Sequence, residues 1–173
     1  MTFPNKINYS LPSGYPGDIA SANPRRSAIS SEAGFRCGAQ GLIVGRFGWV
    51  QEDGVNILNN APQSNKNAVP TGFVIRDMTA ILQRLDEDSS MVIPSGFPAN
   101  LMTGGDYWAI STVDTNAGDA IFANPADGTL GTSGNPTGFT IARGGPAGNI
   151  IMISAPCAPM PAQGSAPAET AKS

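Results

Sequence analysis

Proline and glycine interrupt this chain so often that long helices have no room between them. The 21 glycines and 15 prolines make up 36 of its 173 residues, and the bulky apolar residues come in runs of about four to eight. Proline lacks a backbone donor and glycine loses the most backbone entropy on ordering, so both punctuate turns rather than extend helices. The apolar runs therefore read as short strands. Gly41 to Gln51 places Leu42, Val44, Arg46, Gly48 and Val50 on one parity and Ile43, Phe47 and Trp49 on the other. Both faces carry bulky groups, which predicts a central strand. Further strands are expected at Gly72 to Arg76, Met91 to Ile93, Ala99 to Met102, Tyr107 to Thr112, Ala120 to Ala123, Gly138 to Ala142 and Asn149 to Ile153. Turn signals at Pro94-Ser95-Gly96, Thr103-Gly104-Gly105-Asp106, Asp127-Gly128 and Gly144-Gly145-Pro146 separate them. This pattern predicts a mainly β protein with a small β-sandwich or β-barrel core. Within Asp77 to Asp88, Met78, Ile81, Leu82 and Leu85 have helical spacing, yet Ile81 and Leu82 also suit a strand, so both readings stand.

The two ends differ from the middle. Pro4, Pro12, Pro16 and Pro24, with Gly14 and Gly17, punctuate a start with few apolar residues at a fixed period. Residues 1–33 are read as an extended arm, because proline and the residue before it favour β or polyproline II conformation. Residues 155–173 hold Pro156, Pro159, Pro161 and Pro167 among Ala, Ser and Gly and read as a low-complexity tail. Residues 34–154 remain as the core domain. One domain is the expectation at this length, burying roughly 68–70% of the unfolded surface.

Several chemistries lack their residues. The chain has no histidine, which removes the usual general base near neutral pH, the commonest metal ligand and the Ser-His-Asp triad. Neither Cys37 nor Cys157 has a histidine to activate it, and the two lie 120 positions apart without a CxxC, as expected of two free thiols in a reducing compartment. No run of about 18 apolar residues spans a bilayer and no apolar h-region opens the chain, so no membrane partner and synthesis in the cytosol are expected. The glycines from Gly34 to Gly48 fit neither GxxxxGK[ST] nor GxGxxG and read as a turn entering a strand. Asp114, Asn116 and Asp119 approach an oxygen-ligand loop, but Gly118 stands where an EF-hand needs Asp or Asn and the closing Glu is missing. No metal and no cofactor are expected. Asn8-Tyr9-Ser10 matches a glycosylation sequon without a secretory context.

The charge is sparse and slightly acidic: 10 Lys and Arg against 13 Asp and Glu, a net charge of −3, with charged residues 13% of the chain. A mean hydropathy of −0.09 with so little charge leaves much uncharged surface, which points to assembly with partners. Direct nucleic-acid binding is not expected, since the one adjacent basic pair is Arg25-Arg26. Arg25, Arg26 and Arg36 suit the carboxylates or carbonyls of a protein partner instead.

The run Tyr15-Pro-Gly-Asp-Ile-Ala-Ser-Ala-Asn-Pro-Arg-Arg-Ser27, followed by Gly45-Arg46-Phe47 and Trp49-Val50, resembles the N-terminal portion of tailed-phage structural cement (capsid decoration) proteins. Three later stretches agree in order: Gly72-Phe73-Val74 with Arg76; Met91 to Pro98 with Leu101; and Gly105-Asp106-Tyr107-Trp108 leading to Phe122-Ala123-Asn124 and Asp127-Gly128. The acidic run Asp86-Glu87-Asp88 and the end after Ile153 depart from that pattern. The resemblance implies a β-rich, non-enzymatic virion protein on the capsid exterior. It would lie over junctions between major capsid protein subunits, as a homotrimer interlocked through its arms. Tyr15, Ile19 and Phe35 are the candidate apolar anchors and Arg25 and Arg26 the polar ones, with Trp49 and Trp108 as core or interface aromatics. Two rivals are a carbohydrate- or receptor-binding module using an exposed Asp106-Tyr107-Trp108 platform, and a glycoside hydrolase with two acids across a cleft.

Overall fold

The computed structural model describes residues 13–30, 34–76 and 91–157. The helix-or-strand segment 77–88 and the tail from residue 158 onward lie outside the described residues. Twelve strands run in chain order: β1 (Arg26–Ser27), β2 (Arg36–Cys37), β3 (Leu42–Ile43), β4 (Phe47–Val50), β5 (Asn56–Leu58), β6 (Gly72–Val74), β7 (Val92–Ile93), β8 (Leu101–Ile110), β9 (Ala120–Ala123), β10 (Leu130–Gly131), β11 (Asn135–Arg143) and β12 (Ile150–Ala155). No helix occurs among the described residues, and the mainly β expectation is met.

β8 organises the molecule. Nine strands hydrogen-bond in the order β10-β9-β11-β12-β8-β6-β4-β5-β2, with β1 added to β8 and β3–β7 as a separate pair. Both ends of this path return to β8. At one end Leu130 in β10 bridges Ser111, the residue after β8, and its carbonyl accepts from Thr112 N–H at 3.0 Å. At the other, Arg36 in β2 bridges Pro98, just before β8, while Ala99 N–H donates to the Phe35 carbonyl. The sheet thus curls back on β8 at both ends, and two apolar clusters pack against it.

The first cluster holds Phe47, Phe73, Tyr107 and Phe139, with Phe47 edge-on to both Phe73 and Phe139 at 5.5 Å between centroids. The second gathers Cys37, Leu42, Val44, Ile57, Val74 and Leu101. Because both faces of β8 are covered, residues Gly104 to Ala109 are all buried and its sequence shows no alternation. The buried side chain of Asn59 is matched between these layers. Asn59 accepts from Ile43 N–H at 2.6 Å and donates to the Ile43 and Phe47 carbonyls at 3.1 Å, pinning β3 to β4.

Two strand expectations are corrected. Gly41 to Gln51 is not one strand but β3 and β4, parted by a turn in which Gly45 takes φ +76°, a backbone conformation a side chain disfavours. A Cβ on Gly45 would lie 2.7 Å from Pro16 Cβ, so the turn is also the place where the N-terminal segment presses on the core. Conversely, Thr103 to Asp106 is no turn: the chain runs straight through as the middle of β8. Gly104 stands there because a Cβ would lie 2.7 Å from the Pro156 carbonyl oxygen.

Candidate functional site

Residues 17–28 run antiparallel along β8. Met102 is paired with both Phe73 and Ser27, and Tyr107 with both Ile153 and Ile19, so this segment lies on the edge of β8 opposite β6 and β12. Gly17 N–H donates to the Trp108 carbonyl at 2.8 Å, Trp108 N–H to the Asp18 carbonyl at 2.9 Å and Ala20 N–H to the Asp106 carbonyl at 2.9 Å. Further on, Ala28 N–H donates to the Leu101 carbonyl at 2.8 Å. An edge that would offer a row of unpaired backbone groups is thereby covered from within the chain.

Side chains hold the segment at two places. The first is Asp106, 8% exposed, whose Oδ2 accepts from Ser21 Oγ at 2.5 Å and from Asn23 Nδ2 at 2.6 Å. Burial works to raise the Asp106 pKa, but hydrogen bonds from Ser154, Ser21 and Asn23 outweigh it and hold the carboxyl below its ordinary value. The second is Arg76, whose guanidinium lies 5.1 Å from the centroid of the Tyr15 ring and 3.5 Å from Asp18 Oδ1. Gly14 lies against the Trp108 indole, where a Cβ would come within 2.5 Å of Cδ1.

Among residues 13–30 only Gly17 is buried. The segment is attached by its backbone and a few polar groups while its side chains face outward. Tyr15 is 65% exposed, Ile19 45% and Ile29 90%, and Arg25 and Arg26 are exposed beside them. Phe35 is half-buried and packs with Ala28 against the second apolar cluster. The structure therefore brings Tyr15, Ile19, Arg25 and Arg26 onto one strip and sets Phe35 at its end.

The two tryptophans are packed inside. Trp49 is 1% exposed and donates from Nε1 to the Ala68 carbonyl at 2.8 Å; Trp108 is 8% exposed. Tyr107 is fully buried, donates to the Gly104 carbonyl at 2.9 Å, and has its pKa pushed up to about 12 by that burial. An exposed Asp106-Tyr107-Trp108 platform is thus corrected, because β12 and the N-terminal segment occupy the two edges of that stretch. Sequence reasoning missed Ser21, Asn23 and Asp106 as a set, since 83 to 85 positions separate the partners. It also missed Ile29, which no local pattern in the arm distinguishes from Ile7 or Ile19.

Two clefts lie elsewhere among the described residues. A cleft of about 410 Å³ beside Gln40, Asn60, Gln63 and Lys66 has no carboxylate in its wall. One of about 440 Å³ has Asp114 alone. Asp114 accepts from Ala147 N–H and Asp119 from Asn116 N–H, each at 2.8 Å, so both carboxylates serve loop backbone. Among the described residues no group of three or more Cys, Asp or Glu is placed to hold a metal ion.

A family model described as XM1 gp53 minor capsid protein matches residues 3–155. Among solved structures the chain is similar to one in the capsid of Myoviridae phage XM1, at 19% identity over 89% of this chain and 97% of that one, with a TM-score of 0.56. At this identity the likeness is one of fold. A second similarity, at 12% identity, is to the N base of head fiber gp8.5 in bacteriophage phi29, covering 71% of this chain and 91% of that one with a TM-score of 0.44. No curated protein matches.

Proposed function

The chain belongs to the XM1 gp53 minor capsid protein family, a family of phage virion structural proteins, and on that premise we propose that it is a capsid cement protein. In this reading it binds the outside of the assembled shell and clamps neighbouring major capsid protein subunits together against the pressure of packaged DNA. Residues 1–33 are the docking arm, residues 34–154 the core that spans the junction, and the working unit is a homotrimer. The reaction is binding alone, with no catalytic step.

The observation that carries this reading is the outward-facing strip on β8. Tyr15, Ile19 and Ile29 expose apolar surface on a segment whose backbone is hydrogen-bonded to β8 at several points, so a partner gains their burial without having to reorder the core. Binding several subunits at once favours the assembled shell over free subunits and stabilises it by linkage. Several modest contacts acting together raise avidity without any single tight site.

The test compares particles lacking the protein, the same particles with the full-length chain added back, and particles given a chain without residues 1–31. Full-length protein should bind and raise the temperature of genome release, whereas the shortened chain should fold but not bind. Equal occupancy by the shortened chain would refute the arm's role, and an unchanged release temperature would refute clamping.

A further inference from the structure

The chain uses its carboxylates and its cations unequally. Seven carboxylates are described, and six accept a hydrogen bond or ion pair within the chain: Asp18 from Tyr15 N–H and Arg76, Asp53 from Val55 and Asn56 N–H, Asp106 from Ser21 and Asn23, Asp114 and Asp119 from loop N–H groups, and Asp127 from Thr129 and Arg46. Seven cations are described as well, and only Arg46 and Arg76 meet a carboxylate. The side chains of Arg25, Arg26, Arg36, Lys66 and Arg143 make no hydrogen bond or ion pair among the described residues. Among the described residues, therefore, the anions are mostly committed internally and most of the cations are left for something else.

Three of those five cations are spread along the first half of β8 and the residues just before it. Arg26 in β1 stands opposite Gly104, and Arg36 in β2 bridges Pro98, so both flank the single stretch from Pro98 to Gly104 that leads into β8. Arg25 precedes Arg26, and its Cγ comes within 3.0 Å of where a Gly105 Cβ would sit. Ala28 and the half-buried Phe35 both pack on the second apolar cluster, and Ile29, 90% exposed, follows Ala28 on the stretch of chain between Arg26 and Arg36.

We infer that this stretch docks on an acidic protein surface of the capsid shell, one that sets carboxylates around a recess able to take Ile29. This deepens the proposed capsid-binding role and rests on it. Guanidinium forks taken out of water need planar acceptors, and carboxylates supply them in pairs. The overall negative charge gives no long-range attraction to such a surface. The pairing acts at contact distances, within a Debye length of about 8–10 Å, and this sets its salt dependence.

The test uses full-length protein added to shells that lack it. Bound fraction is measured from about 50 to about 500 mM NaCl for wild type, for Arg26→Glu with Arg36→Glu, and for Lys66→Glu with Arg143→Glu. The first pair should bind about tenfold more weakly than wild type at low salt and recover as salt screens the new repulsion, whereas wild type weakens; the second pair, free cations elsewhere, should match wild type. Equal binding by the first pair at every salt concentration would overturn the inference and leave capsid binding intact. Failure of wild type to bind would sink the capsid reading itself. Binding of wild type to naked duplex DNA, lost in the Arg26→Glu, Arg36→Glu variant, would overturn the inference in favour of a polyanion partner.

Discussion

Replacing Asp106 with alanine should release the N-terminal segment while leaving the two apolar clusters in place. The carboxylate receives hydrogen bonds from Ser21 and Asn23 at 2.5 and 2.6 Å in a site 8% exposed. A hydrogen bond to a charged group contributes about 1.5–3 kcal/mol, and because the two share one oxygen their joint loss is about 2–4 kcal/mol rather than the full sum. Cys157 supplies a reporter, since its thiol donates to the Pro24 carbonyl at 2.6 Å and is half-buried under the segment. Cys37 stays silent, being buried with its thiol pKa pushed up to about 11 by desolvation. With about 1.4 kcal/mol per factor of ten, the opening equilibrium of the segment should rise about 30- to 700-fold, and the labelling rate of the half-buried Cys157 at pH 7 should rise from its closed-state value toward that of an open thiol. Asp106→Asn, which keeps one acceptor, should fall between. An unchanged labelling rate in a folded Asp106→Ala protein would refute the anchoring argument.

The same carboxylate gives a pH dependence. Its folded pKa lies below the unfolded value, so the anchor is complete above the ordinary carboxylate range and weakens as pH falls through the folded value. Acrylamide quenching of Trp108, which Gly14 covers, should therefore increase in acid below about pH 3.9 and stay flat from about pH 5 to 8. Gly17→Ala sets a methyl 2.3 Å from Val44 Cγ1 on a backbone at φ +89°, so it should speed Cys157 labelling while changing the unfolding midpoint far less. Phe73→Ala removes a fully buried ring from the aromatic cluster and should cost about 3–5 kcal/mol, read as a lower urea midpoint with an unchanged slope.

Much of the sheet was legible because strand formation here follows local pattern. Ala120 to Ala123 is β9 as expected, and Gly72, Val92 and Ile150 each begin strands inside the predicted runs. What escaped is tertiary. The break at Gly45 answers to Pro16, about thirty positions away, and the continuity of β8 through Gly104 answers to Pro156. Neither partner leaves a mark on the local sequence. The short strands β1, β2 and β10 escaped as well, because each is two residues long and owes its existence to a neighbour's edge rather than to its own apolar content. Residues 13–30 were legible as an extended stretch with Pro16 and Pro24, but their anchoring was not. Ser21 and Asn23 are ordinary turn residues until Asp106 is brought beside them.

Cryo-electron microscopy of purified virions tests the central claim most directly. Density for this protein should lie on the outer surface across the boundary between adjacent major capsid subunits, with Tyr15, Ile19 and Ile29 turned toward them. Density confined to the footprint of a single subunit, or a strip facing open solvent, would contradict it.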